Sequence, residues 1–230
     1  MGSDAGSLQV PSVILYGGTF DPPHTGHRLV VERAAQLFPG SRVWISVAPA
    51  PAGASQQHKH TAASYEQRLA MCRCNFAEAI ASGLAELTLI EAQLPAPNYT
   101  IRTLQACKQA FPDQRFALLI GLDQLEQFAE WNDPVGILQV CDLIVVSRGA
   151  DPSLLDAVRA LGRKLNLAVQ DCDATKMQWQ ATGTFIYLLP GSVSDAASRH
   201  IRTDPNLALK KGWLVPEVAE FIQQHRIYTK

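Results

Sequence analysis

Val13-Ile14-Leu15-Tyr16-Gly17-Gly18-Thr19-Phe20-Asp21-Pro22-Pro23-His24-Thr25-Gly26-His27 is the stretch that decides the fold of this chain. It opens as an apolar run of strand length, and Gly17 and Gly18 end that run. Pro22 and Pro23 exclude helix until about His24. Beyond Gly26, the residues Leu29, Val30, Arg33, Ala34 and Leu37 recur at three- and four-residue spacing, so a helix follows and runs to about Phe38, where Pro39-Gly40 stops it. The unit is strand, glycine turn, helix. Without a Cβ, Gly17 and Gly18 let a bulky anion approach the backbone, and a helix N-terminus favours negative charge. His24 and His27 share one face of the first helical turn and can donate hydrogen bonds to phosphate oxygens. A tight turn with two surface histidines is the other reading of the same residues.

With 230 residues, 47% of them hydrophobic and 18% charged, the chain can build a full core. Its formal net charge of -1 offers no general field for nucleic acid. The five cysteines, Cys72, Cys74, Cys107, Cys141 and Cys172, include no C-x-x-C pair. They read as free thiols in a reducing cytosol, not as a disulfide framework or a zinc site. No apolar run approaches the roughly 18 residues of a membrane span. Residues 1–11 lack the charge and the apolar run of a signal peptide and read as a disordered leader. Residues 12–230 read as a single domain without repeat or linker.

Arg42–Val47 is a second strand. The long loop over 48–61 carries His58, Lys59 and His60; a loop of this length is functional or mobile. Ser64-Tyr65-Glu66-Gln67 is a capping box. The helix that it opens carries Leu69, Cys72, Phe76 and Ile80 on one face and ends near Gly83, with Arg68 and Arg73 as solvated charges. Residues 87–90 form a short strand, Thr100 or Asn98 caps a helix over 101–111, and 116–120 is an all-apolar strand of the kind found inside a parallel sheet. At its C-terminal end Asp123 either caps the next helix or accepts from a ribose hydroxyl. Trp131 either fills a core or stacks on a ring. A short helix ends over 137–140, and 142–148 is a buried strand followed by an Arg148-Gly149 turn. Ser153 caps a helix over 154–165. Residues 167–169 and 185–189 are strands, with 170–183 unassigned. A helix opens before Arg202, and Pro216 begins the last one. Strands alternating with helices give an α/β, Rossmann-like doubly wound parallel sheet. Gly17, Asp123 and Ser198 then fall at strand-to-helix crossings along one sheet edge, where nucleotides bind.

The string from Gly17 to His27 resembles the nicotinate mononucleotide adenylyltransferases of bacteria. They belong to the nucleotidyltransferases with an HxGH motif, here His24-Thr25-Gly26-His27. The likeness covers nearly all of 12–230. It implies adenylyl transfer from ATP to nicotinate mononucleotide, giving deamido-NAD and pyrophosphate, by direct in-line attack of the mononucleotide phosphate on the α-phosphate. It implies catalytic roles for His24, His27, Lys59 and Arg202. It implies an ATP site from Gly17, Gly18, Thr19, Phe20, His24, His27, Ser198 and Arg202. It implies a mononucleotide site from Tyr99, Thr100, Gly121, Asp123 and Trp131, with the helix start at Tyr99-Thr100 facing the carboxylate and Trp131 as platform for the ring. The family's Pro-Pro-His-Lys-like loop end has its counterparts in Pro49, Pro51, His58 and Lys59, and the family's second threonine in Thr103. Mg²⁺ is expected on the ATP phosphates, with no metal site of the protein's own. Asp21 is expected to cap the turn locally.

The likeness departs at one place. The family's Ile-Ser-Ser-Thr-x-Ile-Arg keeps Ser198, Ile201 and Arg202 here, with Ala197 and Arg199 where Ser and Thr are usual. Either Arg199 supplies charge in place of the hydroxyl, or the register shifts to Ser194. The partners implied are ATP and nicotinate mononucleotide, in the cytoplasm, with no nucleic acid and no membrane; a homo-oligomer stays open. The alternatives are another acceptor of the superfamily (nicotinamide mononucleotide, phosphopantetheine, glycerol phosphate) or a nucleotide-binding regulator that has lost catalysis.

Overall fold

The computed structural model describes residues 10–49, 61–147, 153–189 and 194–228. Of the leader expected over 1–11, residues 1–9 lie outside the described residues, as do Pro51, His58, Lys59 and the Arg148-Gly149 turn.

The chain runs β1 (Val13–Gly18), α1 (Thr25–Leu37), β2 (Arg42–Val47), α2 (Tyr65–Asn75), α3 (Ala77–Ala81), β3 (Ala85–Thr88), α4 (Thr100–Ala110), β4 (Phe116–Gly121), α5 (Leu122–Glu126), α6 (Pro134–Val140) and β5 (Asp142–Val146). It continues through α7 (Ser153–Leu165), β6 (Val169–Asp171), β7 (Lys176–Trp179), β8 (Phe185–Leu189), α8 (Ser198–Thr203), α9 (Pro205–Lys210) and α10 (Pro216–Gln224). One sheet has the order β3-β2-β1-β4-β5-β8-β7-β6. β1 to β5 and β8 are parallel; β6 and β7 pair antiparallel at one edge. The chain steps outward from β1 to β3, then returns to the other side of β1 with β4. This reversal leaves a crevice between the C-terminal ends of β1 and β4, where open α/β sheets bind ligands.

Strand alternation divides the core between the two faces of the sheet. Leu15, Leu104, Phe116, Leu118, Phe128 and Trp179 fill one side, and Ile14, Phe20, Val31, Ile45, Phe76 and Leu119 the other. A third cluster, with Met71, Ile201, Val218 and Ile222, fastens α8 and α10 to α2.

Local signals hold where short-range physics dictates them. β2 spans the expected residues. The Ser64–Gln67 capping box closes in both directions, and Pro216 stands at the start of α10. The structure corrects several boundaries. The helix expected to reach Gly83 breaks at Phe76, whose ring is fully buried, into α2 and α3. The strand at 87–90 lies earlier, at Ala85–Thr88, and Glu91–Gln93 forms a 3-10 turn. Neither Thr100 nor Asn98 caps α4. Tyr99 occupies the cap position without a side-chain bond, while Asn98 donates to the carbonyls of Glu91 and Leu94. The strand placed at 167–169 is Val169–Asp171, and it hairpins with β7 in the unassigned segment. α9 is an additional helix, capped by Asp204 with Pro205 behind it.

Candidate active site

The loop between β1 and α1 owes its shape to side chains packed under it. Phe20 has φ 48, a left-handed backbone, and its buried ring meets Tyr16, His27 and Phe76 edge-on at 5.0–5.9 Å. A Cβ on Gly18 would stand 2.8 Å from that ring, whereas one on Gly17 would meet nothing within 4 Å. Gly18 thus makes room for Phe20, and Gly17 faces open space. Gly26 makes room for His24, whose Nδ1 would lie 2.9 Å from a Cβ there.

His24 is buried and occupies the N-cap of α1. Its backbone N–H donates to His27 Nδ1 at 3.1 Å. The two rings stack with centroids 3.7 Å apart. Because His27 Nδ1 accepts, its neutral ring carries the proton on Nε2, which makes that nitrogen a donor for an anion. The loop is also held from behind. Arg68 donates to Thr19 O at 2.7 Å, Arg202 to Asp21 O at 2.6 Å, Ser198 to Pro22 O at 2.9 Å and Asn75 to His24 O at 3.3 Å.

Arg68, expected as a solvated charge, is instead 1% exposed. Burial depresses its pKa, and the Asp21 carboxylate is the strongest opposing influence. Asp21, expected as a local turn cap, accepts instead from distant groups: Ala62 N–H at 2.8 Å, Ala63 N–H at 3.2 Å and the Tyr228 hydroxyl at 2.6 Å.

The crevice beside β1 is a cleft of about 510 Å³. It gathers Gly17, Gly18 and Thr19 on one side with Tyr99, Thr100, Asp123 and Trp131 on the other. Asp123 lies in the first turn of α5 without capping it. Its carboxylate sits where a Cβ on Gly121 would be, 2.5 Å from that position, so Gly121 admits it. Trp131 packs on Phe128 at 5.1 Å while lining the cleft. His24, His27, Phe20, Ser198 and Arg202 do not line this cleft; they cluster at and behind the loop that forms its rim. Of the two readings at the departure, Ser194 comes to the start of α1, where its Cβ would lie 3.2 Å from a Cβ on Gly26. Arg199 is exposed and donates to its neighbour His200.

Two lining residues had no assigned role in the sequence reading. The Thr103 hydroxyl is buried at the cleft wall with no hydrogen-bond partner among the described residues. It lies one turn into α4, whose first N–H groups have no partner within the helix. Glu91 lines the cleft and accepts from the Ser46 hydroxyl at 2.7 Å. No Lys or Arg lines it among the described residues.

Burial raises the Glu91 pKa above its ordinary 4.5. The folded chain therefore keeps this proton to higher pH than the unfolded chain does. Glu91 costs no stability below the unfolded value and costs increasingly above it, until the folded group also ionises. Glu91→Gln keeps an acceptor for Ser46 and removes the ionisation. We expect a higher Tm than the parent at pH 7.5 and no difference below about pH 4. Thermal melts across that range check this; an equal gap at both ends would assign the effect to packing.

Among the described residues, no group of three or more His, Cys, Asp or Glu is placed to hold a metal ion. No described helix is long and apolar enough to cross a membrane.

Comparison with known proteins gives concordant findings. Residues 15–176 match the family model described as cytidylyltransferase-like. A probable nicotinate-nucleotide adenylyltransferase of Geobacter sulfurreducens is 30% identical over 219 residues, covering 94% of this chain and 97% of the relative. One of Chlorobium luteolum is 38% identical over 141 residues, 60% of this chain and 70% of the relative. The solved Plasmodium falciparum nicotinic acid mononucleotide adenylyltransferase complexed with NaAD superposes with a TM-score of 0.68 over 94% of this chain and 96% of its own, at 17% identity, which speaks to the fold.

Proposed function

This chain belongs to the nicotinate-nucleotide adenylyltransferase family of cytidylyltransferase-like proteins, and we propose that it transfers the adenylyl group of ATP to nicotinate mononucleotide. The observation that carries the reading is the cleft at the β1/β4 reversal, which sets the glycine loop against the N-terminus of α4, Asp123 and Trp131. A phosphate oxygen of the mononucleotide forms a bond to the α-phosphorus of ATP while the bond to the pyrophosphate oxygen breaks. Pyrophosphate leaves, and deamido-NAD results. Both reactants bring good phosphate groups, so no nucleophilic side chain is needed. The protein's task is alignment of two anions and stabilisation of charge on the α-phosphate.

His27 Nε2–H and His24 are the donors at the loop. Lys59, outside the described residues, and Arg202 supply positive charge. Gly17 leaves the backbone open to ligand, and Ser198 and Arg202 fix the loop through Pro22 and Asp21. Trp131 offers its ring to the pyridine, and Asp123 accepts from ribose hydroxyls. The acid is favoured over the amide because the α4 N-terminus and the unpartnered Thr103 hydroxyl donate to a carboxylate. Mg²⁺ fits this donor set as a passenger: it takes phosphate oxygens and water, and the described residues build no cage for it. Bound there, it would neutralise charge on the phosphates. We place the reaction in the cytoplasm.

The test is pyrophosphate release from ATP and Mg²⁺, with nicotinate mononucleotide and its amide in parallel. We expect release with the acid, and kcat/KM for the amide lower by about tenfold or more, the scale set by loss of a buried polar match. Equal or better turnover of the amide would overturn the acid preference. Silence with both would overturn the acceptor class and turn attention to phosphopantetheine and glycerol phosphate.

A further inference from the structure

We propose that the Tyr228 hydroxyl is a positioning group for the transfer: through Asp21 it holds the loop 19–24, and with it His24 and His27, in the arrangement that the reaction uses. This rests on the adenylyl-transfer reading for its kinetic test, though not for its structural one.

Tyr228 lies beyond the last helix, and its backbone is left-handed, with φ 60. An aromatic residue in that region is strained and persists where its surroundings over-determine it. What holds it here is a hydroxyl that donates to Asp21 Oδ1 at 2.6 Å across 207 residues of sequence. Burial and the adjacent Asp21 carboxylate both push the Tyr228 pKa up, so it stays a donor through any working pH. Asp21 itself is 5% exposed. Its carboxylate spans three donors from two sides: Ala62 and Ala63 N–H at the entry to α2, and Tyr228 from the C-terminal end.

Arg68, Arg202, Ser198 and Asn75 each grip a backbone carbonyl of this loop: Thr19 O, Asp21 O, Pro22 O and His24 O. A carbonyl held at one atom still lets its peptide pivot. The Asp21 side chain, pinned at both oxygens, fixes the residue between Phe20 and the prolines against rotation. The next fixed points along the chain are His24, at the cap of α1, and His27, whose ring accepts from His24 N–H. Tyr228 acts through Asp21.

The test is Tyr228→Phe in the full chain, which keeps the ring and deletes the hydroxyl. We expect kcat to fall about tenfold, with KM for both substrates within twofold, because misplacing donors by fractions of an ångström affects the transition state most. In an Asp21→Ala background, which removes both acceptor oxygens, the same change should cost under twofold, since the path is already cut. Val218→Ala in α10 loosens the same end of the chain without touching Asp21; its kcat should stay within twofold of the parent. An activity-independent readout is the NMR of the ring nitrogens of ¹⁵N-labelled histidine, in which Tyr228→Phe should shift the His24 and His27 signals. Unmoved signals, an unchanged kcat, a full tenfold loss in the Asp21→Ala background, or an equal loss in Val218→Ala would each overturn the proposal. A parent silent with nicotinate mononucleotide would overturn the functional reading alone, and the histidine signals would still decide this one.

Discussion

His27→Asn is expected to turn over about 100- to 1,000-fold more slowly than the parent while melting close to it. The magnitude follows from losing one pre-organised donor to charge that develops in the transition state. The choice of asparagine separates two jobs that the structure gives to one ring. Nδ1 of His27 accepts from His24 N–H at 3.1 Å and so closes the start of α1. Nε2 carries the proton that an α-phosphate oxygen would receive as a hydrogen bond. An asparagine amide reaches roughly as far as Nδ1 and not as far as Nε2. It can keep the cap, whose loss would cost about 1 kcal/mol, and it deletes the proposed donor. His27→Gln reverses the trade, with an amide near the Nε2 position, and should recover part of the rate at some expense in Tm.

The split between kinetic constants matters as much as the size. If His27 acts on the transition state, kcat and kcat/KM fall together and KM stays put. A variant with parental kcat and a raised KM would make His27 a ground-state contact. Full parental kinetics would show the catalytic assignment to be wrong. The stacked ring of His24, 3.7 Å away and buried, packs against that same cap, so His24 variants are expected to mix rate and stability effects.

What sequence revealed, and what it hid, divides by range. Pro22-Pro23 before His24, the Ser64–Gln67 box and the apolar run at 116–120 act on near neighbours, and the structure places each where the sequence indicated. The parallel sheet follows from alternation of strands and helices, and the cleft edge from the glycines that end β1. The β6–β7 hairpin escaped because its strands are three and four residues long and pair Gln170 with Gln178. Periodicity has no grip on so short and polar a segment. Asp21 was misread because its donors stand 41, 42 and 207 residues away. Thr103 and Glu91 needed the cleft itself to acquire meaning, since nothing in a threonine's neighbours announces that its hydroxyl lacks a partner. Glycines show the same division. Gly26 could be read as part of a motif, but only the packed ring of His24 tells why no Cβ is allowed there.

Arg68→Met is expected to lower stability by about 3–4 kcal/mol, whereas Arg73→Met, five residues on in the same helix, should change it by under about 0.5 kcal/mol. In the sequence the two arginines are indistinguishable, both polar positions of one helix. In the structure Arg73 is exposed and Arg68 is 1% exposed, with its guanidinium donating to Thr19 O at 2.7 Å and to Pro49 O at 3.4 Å. Methionine fills much of the volume, so the cost is chiefly electrostatic. Two carbonyls lose their donor, and the buried Asp21 side chain loses a neighbouring cation. Replacing a whole buried charge network by apolar groups can be neutral; removing one member is not, because the rest remain. At this chain length the change corresponds to a Tm lower by roughly 6–15 °C. The activity should fall as well at temperatures where Arg68→Met is fully folded, since Thr19 borders the cleft and loses its anchor. Paired melts of the two variants decide the matter. If both melt with the parent, the buried guanidinium contributes nothing to the loop. If both fall equally, the helix as a whole, and not the contact to Thr19, carries the effect.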